Sequence, residues 1–113
     1  MDDQAIVIAD TEGIIRIWSP GCELLFGYSQ AEALGQSLNL IVPEKQQPAH
    51  WNAFRRVMKE GRSRIDGQGA EGVPVQCKDG EVRPYTSRFH LLRNGLDQTI
   101  GAMIIFVRKP DVP

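Results

Sequence analysis

The sequence predicts an α+β domain in which helices pack on one face of an antiparallel sheet. Three observations predict it. Stretches rich in β-branched residues stand at the two ends of the chain, while the middle changes to a helical period. The strand-like stretches are joined by short turns rich in Asp, Asn and Gly, not by helical crossovers. The 113 residues are about one domain's length, and 42% hydrophobic with 24% charged residues is the balance of a folded globular chain, not a disordered one. Strands and helices that segregate along the chain in this way argue for a sheet with its helices gathered on one side.

Each element follows from local chemistry. Ala5-Ile6-Val7-Ile8-Ala9 reads as a strand, Asp10-Thr11-Glu12-Gly13 as a turn, and Ile14-Ile15-Arg16-Ile17-Trp18 as the returning strand of a hairpin. Ser19-Pro20-Gly21 ends it, because Pro cannot donate to a ladder and Gly frees the backbone. Residues 22–26 form a short helix closed by Gly27. Ser29 is the N-cap of a second helix over 31–34, with Glu32 three residues on and Gly35 as the stop. A longer helix runs over 46–60, with Pro48 in its first turn, and ends at Gly61. Residues 73–77 and 82–92 are antiparallel strands around Lys78-Asp79-Gly80. A second turn over 93–98 contains Asn94-Gly95, and the last strand covers 99–108. The order is two strands, short helices, one long helix and three strands, five strands in all, as a single domain over 1–113.

Charge and composition exclude several classes. Thirteen Lys and Arg against fourteen Asp and Glu leave a net charge of -1, with no basic cluster to hold nucleic acid or an anionic membrane. No apolar run approaches the roughly 18–20 residues that span a bilayer. Asp2 and Asp3 open the chain where a signal peptide would carry basic residues, so the expected location is cytoplasmic. Cys22 and Cys77 are too few for a disulfide framework. No nucleophile has a base placed beside it by the pattern, and an enzyme is not expected.

The combination of Ile8-Ala9-Asp10-Thr11-Glu12-Gly13-Ile14-Ile15, Trp18-Ser19-Pro20-Gly21-Cys22-Glu23-Leu24-Leu25-Phe26-Gly27-Tyr28-Ser29, Gly35-Gln36-Ser37, Lys78-Asp79-Gly80 and Phe106-Val107-Arg108 resembles the PAS domain family. The resemblance covers nearly the whole chain. It implies a PAS fold, a five-stranded antiparallel sheet whose concave face holds short helices, one longer helix and often a ligand. It further implies a sensory, signal-transducing role, with an effector domain (a kinase, cyclase or transcription regulator) in the same polypeptide. The chain starts at the first strand and stops just past the last, as an input module taken from a larger signalling protein would, and Met1 is expected to be an added residue.

The long helix carries the candidate site. His50, Phe54, Val57, Met58 and Gly61 share a face at helical spacing, an apolar stripe with an imidazole at its start. On pattern alone the preferred reading of His50 is a core histidine bonded to a backbone carbonyl. The resemblance changes that reading. Pro43-Glu44-Lys45-Gln46-Gln47-Pro48-Ala49-His50 is similar to the segment of haem-binding oxygen-sensor PAS domains that bears the proximal histidine, which implies haem b with His50 as its metal ligand. On the distal side the resemblance places Ala70 where oxygen-binding relatives carry arginine, and Gln68 where some carry a methionine ligand. Alternation puts Tyr85, Ser87, Phe89 and Leu91 on one strand face, and Met103, Ile105 and Val107 on one face of the last strand. In the family's arrangement these faces close the cavity, so the expected cofactor contacts are His50, Phe54, Val57, Met58, Gln68, Ser87, Phe89, Met103 and Ile105, with Met103 a second candidate for the sixth ligand. The last strand is apolar on its other face as well, through Ala102, Ile104 and Phe106, from which a covered outer face and a homodimer are expected.

Alternatives stay open beside haem: no cofactor at all, with the domain acting as a dimerisation module, or flavin or another small organic ligand. A covalent flavin adduct is not expected, since Leu38 stands where light-sensing PAS domains need cysteine. Gly67-Gln68-Gly69-Ala70-Glu71-Gly72 satisfies G-x-G-x-x-G but follows a helix and precedes Val73-Pro74-Val75, the wrong context for a dinucleotide. Cys22, His50, Cys77 and His90 have no zinc spacing, and His90 is expected on the face opposite Phe89.

Overall fold

The computed structural model describes residues 4–108; Met1, Asp2 and Asp3 lie outside them, and with them the reading of the N-terminus. Five antiparallel strands form one sheet: β1 (Gln4–Asp10), β2 (Ile15–Trp18), β3 (Gly69–Gln76), β4 (Val82–Arg93) and β5 (Thr99–Val107), in the order β2-β1-β5-β4-β3. The N-terminal hairpin therefore joins the C-terminal strands through β1 and β5, which pair from Gln4↔Val107 to Asp10↔Gly101. The expected fold, α+β with the helices on one face, is the observed one. Between the hairpins lie α1 (Pro20–Phe26), α2 (Gln30–Ala33) and α3 (Gln47–Glu60), with two 3-10 turns, Leu38–Leu40 and Glu44–Gln46.

Local signals explain most of the boundaries. Asp10 folds the first turn by accepting from the N–H groups of Glu12 (2.9 Å) and Ile14 (3.0 Å). Ser29 and Glu32 complete a reciprocal capping box at α2. Gly27 and Gly61 close α1 and α3 in the left-handed conformation that glycine adopts without Cβ strain. Two boundaries differ from the sequence reading. Helix α1 begins at Pro20, because proline suits a first helical turn, and Gly21 lies inside the helix. Strand β3 starts four residues earlier than expected, at Gly69, since a bulge between Ala70 and Val73 lets the glycine-rich stretch pair with β4.

The core lies between the sheet and the helices. Ala5, Val7 and Ala9 of β1 and Ala102 of β5 are fully buried, and small side chains there let α1 approach closely. Above them Phe26 of α1 stands edge-on to Tyr85 (5.2 Å between centroids) and Phe106 (5.3 Å). The Tyr85 hydroxyl donates to the Leu25 carbonyl at 2.6 Å, tying β4 to α1, and burial pushes its pKa up to about 12.

The facing of β5 differs from that expected from the sequence. Register pairs Ala102 with Leu91, Ile104 with Phe89 and Phe106 with Ser87, and on the other side Ile104 with Val7. The inner face of β5 is therefore Ala102, Ile104 and Phe106. Met103 and Ile105 lie on the outer face, opposite His90 and Arg88 and next to Ile8 and Ile6. Because β5 is apolar on both faces, alternation alone has no polar residue from which to set the phase.

Candidate functional site

Helix α3 is positioned by its ends and by one tryptophan. The Gln47 side-chain amide donates to the Val42 carbonyl at 3.0 Å, anchoring the first turn. The Trp51 indole N–H donates to Asn39 Oδ1 at 2.6 Å, and its ring covers Gly13, where a Cβ would fall 2.3 Å from the indole. Trp51 and Met58 pack against the buried core, and Phe54 belongs to it. These three stand three and four residues apart, so the working stripe is 51, 54 and 58. Trp51 was missed in the sequence, although its spacing to Phe54 and Met58 was there to be read. Val57, expected on that stripe, turns to the flank of the helix.

His50 sits at the edge of the stripe and is half-buried. Its ring stacks on Phe54 (5.8 Å, 28° between planes) and meets Trp51 edge-on at 4.8 Å. Nδ1 is buried and has no hydrogen-bond partner. The preferred pattern-based reading, a core histidine bonded to a carbonyl, therefore lacks its bond. Burial pushes the imidazole pKa below its ordinary value of 6.5. The ring is thus held neutral near pH 7, the state in which it can ligate a metal.

The opposing sheet face brings four expected residues together. Ala70 pairs with Ser87, and the Phe89 N–H donates to the Gln68 carbonyl at 3.3 Å. Gln68, Ala70, Ser87 and Phe89 thus occupy one neighbourhood on the inner side of β3 and β4. Ser87 and Phe89 are half-buried, while Gln68 and Ala70 are exposed at the sheet edge. Met103 and Ile105 are absent from this group, being on the outer face. His90 pairs with Met103 there, on the face opposite Phe89 as expected.

The backbone of α3 makes no extended close approach to any strand. Phe54 is buried there, and Met58, Phe89 and Ile104 pack against the core. Of the residues expected to line the hollow, Phe54 is thus buried and Met58 and Phe89 are partly buried, joined by Ile104, which was expected on the other face of β5. Two open clefts lie elsewhere. One, of about 850 Å3, runs between α1 and the β3–β4 turn past Leu24, Phe26, Lys78, Arg83 and Arg108. The other, of about 920 Å3, lies on the outer flank of α3. Among the described residues no three His, Cys, Asp or Glu side chains come together to hold a metal ion. No helix among them is long and apolar enough to cross a membrane.

Comparison with known proteins agrees with this architecture. The sensor protein FixL of Bradyrhizobium diazoefficiens is 35% identical over 80 residues, which are 71% of this chain and 16% of FixL. The oxygen sensor protein DosP of Escherichia coli is 28% identical over 76 residues, 67% of this chain and 9% of DosP. The chain thus spans about a sixth or less of the length of these relatives. Among solved structures, the PAS domain of a protein from Colwellia psychrerythraea has a TM-score of 0.77 at 25% identity, over 96% of this chain and 87% of that one. The PAS domain of the Cronobacter turicensis quorum-sensing receptor RpfR shares the fold, with a TM-score of 0.74 at 18% identity over 97% of each chain. The model of the PAS fold matches residues 3–108, all but the first two and last five residues. This chain belongs to the PAS family.

Proposed function

We propose that this PAS domain is the sensory module of a larger signalling protein and takes haem b, with His50 as axial ligand. The observation that carries the reading is the buried, unpartnered Nδ1 of a neutral imidazole at the edge of an apolar helix stripe. A buried nitrogen without a partner is costly, and a metal that took the lone pair of that same nitrogen would relieve the cost. The similarity to the sensor protein FixL and to the oxygen sensor protein DosP supports a sensory role, and sensing oxygen calls for a group that takes a diatomic gas, as haem iron does. When bound, haem supplies an iron able to take a diatomic gas or change oxidation state.

The chain's own residues have separate tasks. His50 would hold the metal, and Trp51 locks its helix through Asn39 and Gly13. Phe54 and Met58 exclude water from the helix side; Phe89 and Ile104 do so from the sheet. Gln68 and Ser87 would be the polar groups offered to a bound haem from the sheet, and Ala70 would bring no charge there. Admission of so large a group requires the side chains of Met58, Phe89 and Ile104 to move apart. Their motion reaches β5, whose outer face meets whatever packs on the sheet, and so biases the attached effector domain between two states. A ligand does this through its difference in affinity for the two states, typically about 1–3 kcal/mol.

Titration with haemin tests the reading. The wild-type protein is expected to develop a histidine-ligated Soret band, and His50→Ala to weaken binding more than about tenfold or abolish it. Because burial lowers the His50 pKa, loss of the ligated band on acidification is expected at a lower pH than for an ordinary histidine. A folded protein that refuses haem, or a His50→Ala variant with an unchanged band, overturns the proposal.

A second reading has its own observation. The outer sheet face carries Ile6, Ile8, Met103, Ile105 and Val107, and Ile17 beside them is 50% exposed. A second copy of the chain is the proposed cover for this face. Sedimentation is expected to show a dimer that Met103→Glu converts to monomer with its circular dichroism unchanged; a monomeric wild type rejects this reading.

A further inference from the structure

Trp51 follows His50 in the chain, and its indole is fixed on three sides. The indole N–H donates to Asn39 Oδ1 at 2.6 Å. The six-membered ring lies over Gly13, where a Cβ would fall 2.3 Å from both Cη2 and Cζ3. Phe54 meets the indole edge-on, with 5.5 Å between centroids. The supports are themselves joined. Asn39 sits in the 3-10 turn Leu38–Leu40, with its own N–H donating to Ser37 Oγ at 3.1 Å, and the neighbouring Leu38 N–H donates to the Gly13 carbonyl at 2.9 Å.

His50 has no polar anchor of this kind. Its Nδ1 is buried without a partner. A ligating histidine is ordinarily aimed by a hydrogen bond from its other ring nitrogen to a carboxylate or carbonyl. Two aromatic walls stand in that place here. Phe54 lies along the imidazole (5.8 Å, 28° between planes), and Trp51 stands across it (4.8 Å, 76°). A stacked wall alone leaves the imidazole able to slide and turn in its own plane. The wall across it stops that motion, provided the indole itself stays put. Phe54 is fixed by burial in the core, whereas the half-buried Trp51 is fixed by its tether to Asn39 and its seat on Gly13.

We propose that Trp51, tethered by Asn39, is the positioning residue of His50: it holds the imidazole in a single orientation that no hydrogen bond enforces. The purpose of that orientation, presenting a nitrogen to a metal, rests on the haem reading. The clamp itself belongs to the apoprotein and is tested there.

Proton spectra of the apoprotein are expected to show one set of His50 ring resonances, displaced from those of a flexible histidine by the neighbouring rings, with cross-relaxation to the Trp51 indole. Asn39→Ala removes the tether. It is expected to lose most of that cross-relaxation and to move the ring resonances towards the flexible position. Asn39→Asp keeps an acceptor oxygen in place and is expected to restore the wild-type spectrum. Thermal melts and circular dichroism establish that both variants are folded. With haemin, Asn39→Ala is expected to bind roughly three- to tenfold more weakly than wild type or Asn39→Asp, the scale of one aromatic pair.

Unchanged His50 resonances in Asn39→Ala overturn the proposal even if that variant melts earlier, because Trp51 then only anchors its helix. A wild type whose His50 ring already resonates as a flexible side chain overturns it too, as does equal haemin affinity of wild type and Asn39→Ala. A wild type that refuses haemin rejects the haem reading and leaves the ring spectra to decide the clamp, so the two fail separately.

Discussion

Gly21→Ala is expected to destabilise the domain by on the order of 3 kcal/mol or more, a large part of the roughly 5–15 kcal/mol that holds a domain folded. Gly21 lies in the first turn of α1, where that helix rests on β1. A Cβ built there falls 1.8 Å from the Gln4 carbonyl oxygen and 2.7 Å from its carbon. These are backbone atoms of a strand paired on both sides, with β2 and β5, so no side-chain rotation relieves the overlap. Either α1 lifts off the sheet or β1 shifts in register, and both expose the alanine-lined core. Gly35→Ala is the informative comparison. Its φ of +84° makes alanine strained, yet nothing lies within 4 Å of the added carbon, so a cost of only about 1 kcal/mol is expected. Urea unfolding of the two variants decides the matter. If Gly21→Ala costs no more than Gly35→Ala, the close seating of α1 on β1 is wrong.

Phe26→Ala is expected to cost about 3–5 kcal/mol, the range for removing a fully buried aromatic ring. Phe26 is 1% exposed and links α1 to three strands at once, touching Trp18 of β2 (5.8 Å), Tyr85 of β4 and Phe106 of β5. Its loss leaves a cavity bounded by aromatic rings that cannot easily collapse, since the Trp18 indole N–H is held by the Tyr28 carbonyl and the Tyr85 hydroxyl by that of Leu25. Denaturant unfolding measures the loss, and Phe26→Leu, which refills most of the volume, is expected to recover more than half of it. A Phe26→Ala variant within about 1 kcal/mol of wild type is incompatible with this packing.

Gly21 also shows where local reading stops. In the sequence, Ser19-Pro20-Gly21 looks like a place where the chain needs freedom to turn. In the fold the same glycine is helical, and it is needed because a neighbouring backbone passes where a side chain would be. Gln4 and Gly21 are far apart in sequence, and no local pattern reports their approach. Trp51 is a gentler case. Its spacing to Phe54 and Met58 was visible, but a tryptophan beside a histidine of known resemblance is easily passed over, and its partners Asn39 and Gly13 are brought to it by the fold.

Turn chemistry, caps and alternation were legible because they act over a few residues: Asp10 and its turn, the Ser29–Glu32 box, Lys78-Asp79-Gly80, and the inner face of β4 at Tyr85, Ser87, Phe89 and Leu91. The order of those elements, with the motif residues, already pointed to the PAS fold. The phase of β5 was a different matter. Ala102 to Val107 is apolar without interruption, so hydrophobicity has no preferred side, and Met103 and Ile105 fit either face as well as Ile104 and Phe106 do. Pairing with β1, whose alanines must meet α1, breaks that tie and turns Met103 and Ile105 outwards. The environment of His50 likewise belongs to the assembled molecule: a sequence can place an imidazole on a helix face, but whether a carbonyl comes within reach of its nitrogen depends on segments that meet only when the chain has folded.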